Sequence, residues 1–201
     1  MGTVFLVDDD PQVLKAHARL LSGHGFKTAV FDSAEAFLAQ YDASARGCLV
    51  LDVSMPGLGG LELQRRLTQA GRTLPIVFLT GAADIPMSVQ AMKAGAVDFL
   101  TKPVTGATLM AAVRAALERD AQVRQAMGED AALRQRYASL SVREREVLAG
   151  LAAGKLNKQI AAALGITEAT VKFHRARLMD RMQAQTVAEL MHLAARLKGL
   201  S

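Results

Sequence analysis

The 201-residue chain is 51% hydrophobic and 21% charged, with one cysteine and a formal net charge of +5. That lone Cys48 excludes a disulfide framework and a cysteine-based metal site. No apolar stretch approaches the roughly 18 residues of a membrane span, and the chain starts directly with a strand instead of a signal peptide, so a soluble, cytoplasmic protein with no membrane partner is expected.

The length suits two small domains, and the charge divides unevenly between them. Residues 1–120 hold 11 Lys and Arg against 12 Asp and Glu, whereas residues 121–201 hold 13 against 7, a formal −1 followed by +6. The basic half is the candidate for meeting an anionic partner.

In chain order, the runs Thr3 to Val7, Lys27 to Phe31, Cys48 to Leu51, Pro75 to Leu79 and Val97 to Leu100 read as strands. All but the second are nearly continuous in Val, Ile, Leu and Phe, as strands buried on both faces of a parallel sheet are. Pro11 to Ser22, Ala34 to Gln40, Leu58 to Gln69 and Ile85 to Ala94 read as helices between them, with Gly23, Gly71 and Gly95 as stops and Asp10 as a cap before Pro11. A fifth helix begins near Thr105 and runs past Glu118. Its stripe of Leu109, Val113, Ala116, Val123 and Met127 is interrupted by Asp120, and Gly128 suggests a break before the second domain.

Asp8, Asp9, Asp52, Thr80 and Lys102 close four of these strands, and in an open parallel sheet the functional crevice lies at the carboxyl ends of the strands. Packed carboxylates repel one another, and Mg2+ with oxygen ligands resolves the repulsion. Lys102 adds a point charge and Thr80 a hydroxyl donor, which together make a site for transferring a phosphoryl group to an aspartate.

The stretches LVDDD (Leu6 to Asp10), LDVSMPGLGGLEL (Leu51 to Leu63), LTG (Leu79 to Gly81) and KAGAVDFLTKP (Lys93 to Pro103) resemble the receiver domains of two-component response regulators. The resemblance implies an α/β flavodoxin-like five-stranded parallel sheet. It implies Asp52 as phosphoacceptor, Asp8 and Asp9 as the acidic metal pair, and the backbone carbonyl of Ser54 as a third ligand to Mg2+. Thr80 and Phe99 match the switch positions, and Lys102 the phosphoryl-binding lysine, with Pro103 in the position usually cis. Gly59 and Val104 depart from the pattern, at positions that carry no phosphoryl chemistry.

Beyond residue 138 the reading is all-helical. Ser141 and Glu144 form a capping box before a helix whose Val142, Val147, Leu148 and Leu151 are expected to face a core. Asn157 to Thr167 reads as a second helix ended by Leu164-Gly165-Ile166. A third, Glu168 to Met182, places Val171, Leu178 and Met182 inward and Lys172, Phe173, Arg175 and Arg177 outward. Two helices joined by a tight turn, the second one basic, make a helix-turn-helix whose second member enters the DNA major groove.

LSVREREVLAGLAAG, NKQIAAALGIT and ATVKFHRARLMDRM resemble the four-helix LuxR-type DNA-binding domain, and the pairing with a receiver resembles the FixJ/NarL class. The run DIPMSVQAMKAGAVDFLTKP is closer to the FixJ branch. Base-edge contacts from Lys172 and Phe173 and phosphate contacts from His174 and Arg177 are implied, with Arg175 on the same DNA-binding surface. Helix Thr186 to Arg196 matches the dimerisation helix. The expected organisation is a receiver at 1–120, a helical linker at 121–138 and the helix-turn-helix domain at 139–201.

These expectations describe a transcriptional regulator and not an enzyme, with at most autophosphatase activity. A sensor histidine kinase donates the phosphoryl group to Asp52, a homodimer forms, and double-stranded DNA is bound. RNA polymerase stands as a further candidate partner. A haloacid-dehalogenase-type enzyme normally has a second Asp two residues after its nucleophile, where this chain has Ser54. A receiver acting alone would need no helix-turn-helix, while DNA binding independent of phosphorylation stays open.

Overall fold

The computed structural model describes residues 2–42, 44–71, 74–81 and 85–199, and the chain divides into two compact units, residues 1–124 and 125–201. Asp84, the first residue of the FixJ-like run, lies outside the described residues. No described helix is long and apolar enough to cross a membrane.

In the first unit, strands β1 (Thr3–Val7), β2 (Lys27–Phe31), β3 (Gly47–Asp52), β4 (Ile76–Thr80) and β5 (Asp98–Thr101) alternate with helices α1 (Pro11–Gly23), α2 (Ala34–Gln40), α3 (Gly60–Gln69), α4 (Ile85–Lys93) and the start of α5 (Gly106–Ala138). The sheet is parallel, in the order β2-β1-β3-β4-β5. After β2 the chain returns across β1 to form β3, so the order reverses between β1 and β3, the position at which such sheets open a crevice. Register aligns the strand ends: Val7 lies beside Leu51, Asp52 beside Leu79, and Thr80 beside Thr101.

Continuous apolar runs are needed because both faces of the sheet are covered. Phe5, Val7, Leu49, Leu51 and Phe78 pack with Phe37 of α2, Leu63 and Leu67 of α3 and Ala91 of α4. Alternate residues Val4, Leu6, Cys48, Val50, Val77 and Leu79 pack with Leu14 and Leu21 of α1 and Leu109, Val113 and Ala116 of α5. Period-two alternation thus sends the apolar residues of β1, β3 and β4 into one core or the other, whereas the edge strand β2 leaves Lys27 and Val30 exposed.

Caps refine the helix limits. Asp10 caps α1, accepting from the N–H of Gln12 at 2.8 Å and of Val13 at 3.4 Å. That helix runs through Gly23, and the left-handed glycine that follows it is Gly25, not Gly23. Helix α3 starts at Gly60 instead of Leu58, because the Leu58 N–H is bound by Glu35 and the Gly60 N–H by the Val53 carbonyl. A Cβ on Gly60 would lie 2.3 Å from the Asp52 carbonyl oxygen, so only glycine lets α3 begin this close to the end of β3.

Helix α5 corrects the expected break at Gly128, which lies inside it. One interior glycine costs a helix about 1 kcal/mol relative to alanine, and here alanine-rich flanks and a Gln125–Glu129 hydrogen bond of 3.0 Å span the position. Asp120, the polar interruption of the stripe, is buried, and accepts from the Gly47 N–H at 3.1 Å while pairing with Arg124 at 2.8 Å. It therefore holds the start of β3. Beyond it Met127 is exposed.

The second unit combines the end of α5 with α6 (Val142–Ala152), α7 (Asn157–Leu164), α8 (Glu168–Met182) and α9 (Val187–Gly199). Leu133, Leu140, Val147, Leu148, Ile160, Val171, Leu178, Met182 and Leu190 form its core. Arg196 of α9 binds Asp130 at 2.6 Å, and Arg136 donates to the Met182 carbonyl at 3.1 Å, tying the last turns of α5 into this unit. The expected inward position of Val142 is corrected: it is 72% exposed. At 100° per residue it points about 140° away from Val147, so the two cannot share a face.

Candidate functional site

Two strand ends and two loops that follow strands build the first site. Asp8 follows β1, Asp52 ends β3, Thr80 ends β4 and Lys102 follows β5. Asp8, Asp52 and Thr80 are only 3%, 4% and 1% exposed, so the sheet edge withdraws them from water. Lys102 Nζ lies 2.6 Å from Asp8 Oδ2 and 2.7 Å from Asp52 Oδ1, one ammonium bridging two carboxylates. The second oxygen of each carboxylate is also bound: Asp8 Oδ1 accepts from the Asp10 N–H at 3.0 Å, and Asp52 Oδ2 from the Ser54 N–H at 2.8 Å. Lys102 is itself anchored, its N–H donating to the Thr80 carbonyl at 2.7 Å, and the peptide bond to Pro103 is cis.

Burial pushes the Asp52 carboxyl above the ordinary carboxylate range, and the Asp8 charge adds to that push; the Lys102 ammonium and the Ser54 N–H work against it. For Lys102 burial disfavours the charge, yet the two carboxylates outweigh it and raise the ammonium above its usual value. Contact with the carboxylates thus favours the charged form of Lys102, while at Asp52 burial outweighs the same contact.

Among the described residues no group of three or more His, Cys, Asp or Glu side chains is placed to hold a metal ion. Asp8 and Asp52 converge on the Lys102 ammonium with hard oxygen donors, the donor type that Mg2+ takes, whereas Asp9 is exposed and does not join that cluster. Phe99 is half-buried, its ring centroid 6.0 Å from that of Phe78. His17 was not marked by any motif. It lines a groove of about 590 Å³ with Asp10, Gln12, Lys102, Pro103 and Val104, and burial lowers its basicity, with Asp8 raising and Lys102 lowering it further.

The second site is the outer face of α8. Thr167 caps this helix by accepting from the Thr170 N–H at 3.1 Å, and Gly165, with φ of 67°, ends α7 just before it. Val171, Leu178 and Met182 are fully buried, which fixes the rotation of α8 about its axis. Lys172, Phe173 and Arg177 are consequently exposed, and His174 and Arg175 are half-buried. Phe173 is 56% exposed, large for an aromatic ring, and the Arg177 guanidinium lies over it at 5.6 Å. Arg181 turns instead to Glu144, 3.6 Å away, and to the Ser139 carbonyl, so its charge serves the fold.

The sequence matches the response regulator receiver domain family over residues 4–114 and the bacterial regulatory proteins, luxR family, over residues 138–194. It is 45% identical to the response regulator protein TodT of Pseudomonas putida, across 98% of this chain and 87% of that protein. Against the transcriptional regulatory protein FixJ of Bradyrhizobium diazoefficiens the identity is 42%, across 97% and 95%. Among solved structures, response regulator StyR superposes with a TM-score of 0.87 at 45% identity, covering 97% of this chain and 98% of that one. Full-length FixJ from B. japonicum gives 0.59 at 41% identity, covering 100% and 98%. With both sites in place and both families matched, the chain belongs to the two-component response regulators that join a receiver domain to a LuxR-type helix-turn-helix domain, and is a DNA-binding transcription regulator.

Proposed function

We propose that this regulator is controlled by phosphorylation of Asp52. The observation that carries the reading is the single ammonium of Lys102 bridging Asp8 and Asp52 at the buried ends of β1 and β3. A carboxylate oxygen of Asp52 attacks the phosphorus of a phosphohistidine on a sensor histidine kinase. The P–N bond breaks, the imidazole leaves with its electron pair, and an acyl phosphate forms. Lys102, already within contact of Asp52, exchanges a carboxylate oxygen for a phosphoryl oxygen, and the Thr80 hydroxyl donates to another. Asp8, Asp9, Asp52 and the Ser54 carbonyl would hold Mg2+, which when bound neutralises oxygens of the phosphoryl group.

Drawing Thr80 and Lys102 onto the new dianion frees space for Phe99 to turn inward. The face made by α4, β5 and the start of α5 then changes and a homodimer forms. Two copies of α8 would enter successive major-groove faces roughly 34 Å apart, with Lys172 and Phe173 at base edges and His174, Arg175 and Arg177 toward phosphates. RNA polymerase is the remaining partner in this scheme. Incubation with acetyl phosphate and Mg2+ should label the wild-type chain, and Asp52→Asn should carry no label. Stable labelling of Asp52→Asn at the wild-type level would remove the proposal.

A further inference from the structure

We infer that Glu35, on a helix that contributes no ligand or reacting group, is a positioning residue for the metal side of the Asp52 site. The inference rests on the phosphorylation reading above and extends it to how the loop after Asp52 keeps its shape. That loop, residues 53–59, is fixed at its near end by two main-chain bonds at Val53 and by a bond from the Ser54 N–H to the Asp52 carboxylate. The Val53 N–H donates to the Leu79 carbonyl at 3.0 Å, the Val53 carbonyl accepts from Gly60 at 3.1 Å, and the Ser54 N–H donates to Asp52 at 2.8 Å. Its far end is held from outside. Glu35 Oε1, in the first turn of α2, accepts from the Leu58 N–H at 3.0 Å across 23 residues of sequence.

Two further features fit this clasp. Gly57 has φ of 73°, and a Cβ there would sit 3.0 Å from Glu35 Oε1, so glycine both makes the turn and leaves room for the carboxylate. Met55 and Leu58 are buried in the core shared by α2 and α3, so the segment between Ser54 and Leu58 cannot drift outward without exposing them. Glu35 is exposed apart from this contact, and its first-turn position alone needs no such bond because Ser33 already caps α2 through the Ala36 N–H at 3.3 Å. Without Glu35 the Leu58 N–H loses its acceptor, and the Ser54 carbonyl is aimed by the near-end bonds alone. Groups that support ligands from outside the metal's own contacts commonly cost about 10–100-fold in metal affinity when removed.

The test uses the full-length protein and three chains: wild type, Glu35→Ala and Glu35→Gln. Mg2+ titration followed by amide NMR should show half-saturation raised about tenfold in Glu35→Ala. Exchange of the Leu58 amide with solvent should accelerate by about tenfold in the same variant. Glu35→Gln keeps an oxygen acceptor, so it should restore both values, which separates the hydrogen bond from the charge. A merely structural role would lower the thermal midpoint without moving Mg2+ affinity. Glu35→Ala binding Mg2+ as tightly as wild type, or Glu35→Gln as impaired as Glu35→Ala, would overturn the inference. Wild type that binds Mg2+ yet accepts no phosphoryl group would overturn the proposed function and leave the Glu35 result standing.

Discussion

At the scale of single residues, the chemistry is set by which carboxylate meets which cation. Asp8 and Asp52 share Lys102, so replacing Asp52 by Asn removes one of two mutually repelling buried charges while an amide oxygen can still accept from Lys102. The first unit of Asp52→Asn should therefore be more stable to unfolding than wild type, by about 1 kcal/mol, even as it loses the phosphoryl label. Glu144 behaves oppositely. Burial raises its carboxyl, but the Ser141 N–H and hydroxyl, with Arg181 and Arg177 nearby, outweigh burial and hold it below the ordinary range. A carboxyl depressed in the folded state adds stability above its unfolded pKa and loses it as pH falls through the folded value. Unfolding of the second unit, followed by circular dichroism, should thus become steeply acid-sensitive below about pH 4.3 in wild type and less so in Glu144→Gln. At neutral pH Glu144→Ala should cost about 1 kcal/mol by removing the capping box.

Among the elements, α8 shows how burial on one face assigns work to the other. Val171, Leu178 and Met182 leave it no freedom to rotate, and so Lys172, Phe173 and Arg177 are presented together. A protein that makes one fewer phosphate contact releases fewer counterions, so Arg177→Ala should lower the log–log salt slope of DNA binding by about one unit on any sequence. Truncating Lys172 to Ala should cost about 1–3 kcal/mol on the cognate site and much less on random DNA. Fluorescence anisotropy across a salt series measures both. Equal losses on cognate and random DNA would show that Lys172 reads no base. Helix α5 carries the element-scale lesson about sequence. Its early stripe of Leu109, Val113 and Ala116 was legible from spacing, whereas Gly128 looked like a stop because propensity is local and a 33-residue helix anchored at both ends is not.

For the whole molecule, the proposed function predicts that phosphorylation and assembly are coupled. Beryllofluoride-treated protein should sediment toward twice the monomer mass and bind DNA more tightly, and Thr80→Ala should break that link while still accepting phosphoryl at Asp52. One unchanged mass in both states would sink the dimerisation step, and unchanged DNA affinity would favour binding independent of phosphorylation. The amino-acid sequence by itself determined both fold types, the strand runs, and the presence of Asp8, Asp52, Thr80 and Lys102 at strand ends, because burial on both faces writes continuous apolar runs that stop where the chain turns polar. It also marked α8, through its cap, its apolar spacing and its charge. Only the tertiary structure decided that Asp8 turns inward to Lys102 while Asp9 is exposed. The same holds for Asp120 holding the start of β3, Leu133 entering the second core, and Glu35 reaching the loop after Asp52. Each of these joins residues far apart in sequence, and periodicity records which side of an element is buried but not which distant group it meets there.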